Sequence, residues 1–117
     1  MNTTGKIWGQ TTEVFRDETT EVHYLDIKKD GYCSKHLHEG KWNKFYVISG
    51  KLKVILYKEQ SGYEDVTTLL PGMSMDVPPH VKHKFEAPED CTCLEVYWVR
   101  LDPVDIVRDN FGGMKGE

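Results

Sequence analysis

Three histidines carry the chemistry that this sequence advertises: His36 and His38, one residue apart, and His83, 45 positions beyond His38 (83 minus 38). On a helix, residues two apart point to nearly opposite sides and cannot share an ion. On a strand they face the same way, roughly 7 Å apart along the chain, and two imidazoles can lean onto one ion at about 2.1 Å. The pair is a strand chelate or nothing. His83 lies in a separate β-like run with Phe85 on the same alternation, so a sheet that closes on itself brings it to the first two. Three protein ligands leave open coordination positions, which a catalytic metal needs and a structural one avoids. A single strand histidine is more often a satisfied or solvent-facing side chain than a ligand, so the flanking pattern has to decide.

The elements that must position these rings are short. Turn signals recur at Asp30-Gly31, Glu39-Gly40, Ser49-Gly50, Ser61-Gly62, Pro71-Gly72, Pro78-Pro79 and Pro88-Glu89-Asp90. Between them lie β-rich runs at 21–28, 32–38, 43–48, 51–58, 63–70, 73–77, 81–86 and 91–100, a spacing that predicts an antiparallel sandwich or barrel. No window before residue 102 keeps a helical apolar period without a Gly or Pro. The segment 101–111 is the one place for a short helix or an extended tail, with Pro103 leaving its first part ambiguous. Leu52, Val54 and Leu56 alternate with Lys51 and Lys53, as expected of a strand with one wet side. If Asn43 faces the ion, Phe45 and Val47 share its inner face while Trp42, Lys44 and Tyr46 face out. On the last run either Cys93, Glu95 and Tyr97 or Leu94, Val96 and Trp98 point inward; the second set is apolar and is taken as the core.

His36-Leu37-His38, four residues, Asn43, six more and Gly50 resemble the first cupin motif, and Gly72, five residues, Pro78, Pro79, His80, two residues and His83 resemble the second. Lys6-Ile7-Trp8-Gly9, Val104 to Arg108 and Phe111-Gly112 are similar to the borders of the mannose-6-phosphate isomerase-like (type II) cupins. The resemblance implies an all-β double-stranded β-helix, the cupin or jelly-roll barrel, filling 1–117 as a single domain with its barrel core at about 20–100. It also implies one divalent metal ion on His36, His38 and His83, with Asn43 as a candidate fourth ligand.

The sequence departs from that pattern in three places. Asn43 stands where cupins usually place a metal-binding Glu, and a neutral amide binds hard divalent ions weakly. The site then resembles those of three-His cupin dioxygenases and suits Fe, Zn, Ni or Mn, among which imidazole ligands do not decide. His36 falls where type II sugar-phosphate isomerases often carry a Gln, and the basic residue expected after the ligand pair is represented by Lys41, a point charge without the planar fork of Arg; Arg108 in the tail has that fork. His80 occupies a turn-Gly position where a left-handed backbone is often needed, and is a candidate acid or base at the mouth of the site. Lys41 and His80 are thus the candidate catalytic residues. His23 has no partner by spacing and reads as structural or exposed.

Composition limits the rest. A chain of 117 residues is long enough for one core. Its 15 basic and 19 acidic residues give a net charge of −4 without a like-charged run, which argues against nucleic acid as a partner. Apolar stretches of a few residues fall far short of the roughly 18 that span a bilayer. The first ten residues do not read as a secretory signal, so a cytoplasmic address is expected, with Cys33, Cys91 and Cys93 reduced. Two functions stand side by side: a metal-dependent enzyme acting on a small organic substrate by dioxygenase, isomerase or lyase chemistry, and a non-catalytic cupin binding a metal and a small ligand such as a sugar derivative. Outward Trp42 and Tyr46 suit a homodimer contact.

Overall fold

A computed structural model describes residues 2–99 and 104–116. Nine strands and no helix form among them. The strands are β1 (Asn2–Lys6), β2 (Gly9–Arg16), β3 (Thr20–Ile27), β4 (Trp42–Ser49), β5 (Leu52–Lys58), β6 (Tyr63–Leu69), β7 (Ser74–Val77), β8 (His83–Glu86) and β9 (Cys91–Trp98). All strand pairings are antiparallel, in one sheet of order β1-β2-β3-β9-β4-β7 and another of order β6-β5-β8. The arrangement is consistent with a double-stranded β-helix. Residues 104–116 are exposed and without helix, and Arg108 is among them; Arg100 to Pro103, within the stretch read as helix or tail, lie outside the described residues.

The inner faces build the core. Leu25, Ile27, Phe45, Val47, Leu52, Val54, Leu69, Val77 and Phe85 are buried, with Cys91 and Cys93 among them. Phe85 meets Trp8 edge-on at 5.2 Å and Phe45 at 5.9 Å between ring centroids. Such pairs add about 0.5–1.5 kcal/mol each beyond the area they bury.

Three expectations need correction. First, the N-terminal hairpin β1–β2 lies outside the expected runs: it extends the larger sheet beyond the barrel core, and its turn carries Trp8 against Phe85. Its docking is specific, since the Lys28 N–H donates to the Trp8 carbonyl at 2.9 Å. A side chain at Gly31 would come within 2.9 Å of the Trp8 Cβ. Secondly, the 32–38 run is not a continuous strand; it touches β8 through two isolated bridges, Tyr32 to Glu86 and His36 to His83. Thirdly, the apolar set on β9 is not the inward one. Cys93 lies opposite the buried Leu25 and Val47, Glu95 opposite Phe45, and Tyr97 opposite the buried Asn43, so Cys93, Glu95 and Tyr97 face the interior. Leu94, Val96 and Trp98 face outward, where Trp98 stacks on Trp42. Burial per residue does not outrank register here, because Glu95 and Tyr97 on the inner face line a cavity instead of packing in the apolar core.

Candidate metal centre

His36 and His83 exchange both backbone hydrogen bonds, His36 N–H to the His83 carbonyl at 3.0 Å and the reverse at 2.8 Å. Residues paired this way present their side chains to the same face, and His38, two residues on, follows His36. The three rings therefore converge: centroid separations are 4.6 Å for His36 to His83, 5.0 Å for His36 to His38 and 5.5 Å for His38 to His83. One ring nitrogen from each lies within 4.8 Å of the others, so the group can hold a metal ion. Small side-chain rotations bring such a spread to the about 3.4 Å between donors around a tetrahedral ion.

The tautomers are set by the backbone. Nδ1 of His36 lies 2.7 Å from the Ser34 carbonyl, and Nδ1 of His83 lies 2.9 Å from the Val81 carbonyl. A carbonyl only accepts, so each Nδ1 carries a proton, and in the neutral ring it is Nε2 that keeps the lone pair. The Nε2 atoms of His38 and His83 are buried with no hydrogen-bond partner. An orphaned buried nitrogen costs about 1–3 kcal/mol, and a cation between the rings would relieve both. Two of the rings favour the neutral form: burial first, then the charges of His36, Lys41 and His83, push His38 down to about 4. Burial likewise lowers His83, against the hydrogen bond to Val81.

The cluster opens onto a cavity of about 930 Å³ between the sheets, which His36 lines together with Leu25, Phe85 and Trp8 on the apolar side and Thr11, Glu21, His23, Lys41, Glu95 and Tyr97 on the polar side. Strand register explains the polar wall. Glu21 pairs with Tyr97 and Tyr97 with Asn43, while His23 pairs with Glu95 and Glu95 with Phe45, giving two rows across the inner face. Glu95 accepts hydrogen bonds from Tyr97 and Asn43; burial raises its carboxyl above the usual range, against those bonds and the charges of His23 and His36. Burial, then the neighbouring Glu95 charge, raises the Tyr97 phenol. Tyr97 also meets the His38 ring edge-on at 5.1 Å.

The other sequence candidates fall as follows. Asn43 is fully buried; its Nδ2 donates to Glu95 and to the Val96 carbonyl, both at 3.4 Å, and its Oδ1 has no partner. Lys41 lines the cavity with Nζ 3.9 Å from the Tyr97 ring centroid. His80 adopts the left-handed backbone expected of it, φ 68°, but its side chain is exposed and outside the cavity lining. It contributes a backbone N–H, donated to the His38 carbonyl at 2.7 Å. His23 is not partnerless: Nε2 meets Glu21 at 3.1 Å, Nδ1 lies 3.5 Å from the Thr11 hydroxyl, and the ring lines the cavity. Sequence reasoning missed Glu95 and Tyr97 as site residues, although the alternation of β9 names them as one of two sets.

Two antiparallel sheets with three imidazoles gathered at one point define a β-barrel-like fold that could hold a metal ion. Residues 23–99 match the cupin domain family, and the chain belongs to it. Its fold is similar to KdgF from Halomonas sp., at 19% identity and TM-score 0.73 over 86% of this chain and 90% of that one. It is also similar to a tryptophan-to-tyrosine variant of the oxalate decarboxylase of Bacillus subtilis, at 19% identity and TM-score 0.74 over 84% of this chain, which spans 27% of the decarboxylase. The capsular polysaccharide assembling protein CapF of Staphylococcus aureus aligns at 21% identity and TM-score 0.72, over 89% of this chain and 30% of that one. At these identities the likeness shows the fold alone. No curated protein matches by sequence.

Proposed function

We propose that this chain is a metal-dependent cupin enzyme in which the Nε2 atoms of His36, His38 and His83 hold one divalent ion, Fe, Zn, Ni or Mn, and the cavity holds a small organic substrate. The observation that carries the reading is the pair of buried, partnerless Nε2 atoms on His38 and His83, in a cluster where the Nδ1 protons of His36 and His83 are tied to backbone carbonyls. When bound, the ion supplies Lewis-acid polarisation of a substrate oxygen. The chain supplies proton-transfer groups beside it: Glu95, enclosed and biased towards its protonated form, and His23, oriented by Glu21. Acid and base groups on one wall favour isomerase or lyase chemistry at a carbon next to the polarised oxygen over oxygen chemistry. They also favour an enzyme over a pure binder. Asn43, spent on Glu95 and the Val96 carbonyl through its amide nitrogen, positions that carboxyl.

The test has two parts. Elemental analysis of wild type and of His36→Ala, His38→Ala and His83→Ala should show near-stoichiometric metal in the first and loss in each variant; metal retained by the variants sinks the site. Metal-loaded protein is then incubated with sugar phosphates, hydroxy acids and diketones in D₂O. Deuterium incorporation that disappears in Glu95→Gln is expected, whereas oxygen consumption without deuterium uptake would reassign the reaction as a dioxygenase.

A further inference from the structure

We infer that the cavity takes a small organic anion, a molecule whose carboxylate or phosphate group lies between the three-histidine cluster and Lys41. The inference deepens the metal-centre reading and rests on it. Three imidazoles and an amide bring no negative charge, so a divalent cation held there keeps its full charge inside a partly dry wall, where it is compensated best by an anionic ligand.

The lining shows the same imbalance. Lys6, Lys28, Lys29 and Lys41 face the cavity against Glu21, Asp30 and Glu95, an excess of positive charge in a chain that carries −4 overall. The acids are largely spent. Glu21 bonds to Arg16 at 3.0 Å and to His23 at 3.1 Å, and Glu95 is held by Tyr97 and Asn43. The cations are not: among the described residues none of the four lysines stands within 4.0 Å of a carboxylate, whereas Lys44, Lys82 and Lys84 pair with Asp76, Glu59 and Glu86. Lys41 acts on Glu21 and on His38 at longer range, and its Nζ rests on the Tyr97 ring, which places one ammonium beside the cluster. Lys6, Lys28 and Lys29 gather at the other end, where the Lys28 N–H meets the Trp8 carbonyl at the β1–β2 turn. Charges at an entrance steer an anion in; a charge beside the ion holds it. Lys6 and Trp8 come from the hairpin that precedes the family match at 23–99, and Lys28 and Lys29 from within it, so this end of the cavity is built by both segments.

The experiment is calorimetric titration of the full chain loaded with cobalt(II), using malonate, inorganic phosphate and the uncharged malonamide. At least one anion should bind and weaken with added salt, the tighter of the two naming the group, and malonamide should bind at least about tenfold more weakly. Lys41→Gln should weaken the anion about tenfold, as expected for one charge-assisted contact. Lys82→Gln, which removes the same charge from outside the cavity, should leave it unchanged. Binding of neither anion, malonamide binding as tightly, or equal losses in Lys41→Gln and Lys82→Gln would each overturn the inference. The bound cobalt is counted separately. A wild type that takes up none defeats the metal reading, and the metal-free titration then decides this one: anion binding lost in Lys41→Gln upholds it, and no binding overturns it.

Discussion

Replacing His83 by leucine should make the metal-free protein more stable and the metal-loaded protein less so. His83 is 1% exposed, and its Nε2 is buried without a partner, a state that costs about 1–3 kcal/mol. Leucine of similar bulk removes that penalty among Leu56, which is paired with His83, and Phe45, whose ring lies 6.5 Å away. It also forfeits the Nδ1–H bond to the Val81 carbonyl, worth about 1 kcal/mol. The balance is a gain of about 1 kcal/mol, or roughly 4 °C in melting temperature for a domain of this size. Metal reverses the order. An ion at about 100 times its dissociation constant stabilises the wild type by about 2.7 kcal/mol, close to 10 °C, and contributes nothing to a variant that cannot hold it. Thermal melts followed by circular dichroism, in chelator and then in excess zinc, should therefore cross: variant above wild type first, wild type above variant second. A variant that melts several degrees below wild type in chelator would show that the imidazole is retained for packing, and the ligand argument would fail.

Two further outcomes follow from the geometry. Gly50 takes φ +77°, and a Cβ there would collide with the Asp90 carbonyl oxygen, so Gly50→Ala should cost about 2–4 kcal/mol in urea unfolding; a loss below about 0.5 kcal/mol would contradict the close approach. His38 is held near 4 when folded, against an ordinary value of 6.5, so between those two the unfolded chain binds more protons. The metal-free protein should then lose stability as pH falls from about 6.5 to about 4, and His38→Gln should flatten that part of the curve; an unchanged slope in the variant would remove His38 as its source.

What the sequence made legible was whatever burial or a fixed spacing imprints on it. His36 and His38 could share an ion only from extended backbone, and Gly50 marked a turn. Asn43, Phe45 and Val47 showed their shared face through period-two alternation. The hairpin β1–β2 left no such imprint: every residue of β1 is exposed, and the strand is held by pairing with β2 rather than by a buried face. On β9 the pattern offered two faces and apolarity pointed to Leu94, Val96 and Trp98, the wrong one; only the strand's position between β3 and β4 selects the face with Glu95 and Tyr97. His23 was opaque for a related reason. Its neighbour Glu21 lies two residues away, but Thr11 and Tyr97 reach it only through strand register.

The oxygens that orient His36 and His83 belong to the main chain two positions upstream of each ring. No substitution at Ser34 or Val81 deletes a peptide carbonyl, so the rings keep their aim while the side chains around them drift. The cavity wall carries no such insurance, being made of Glu21, His23, Lys41, Glu95 and Tyr97 as individual side chains. A lineage built on this plan can vary the cavity piecemeal without dismantling the three-histidine cluster.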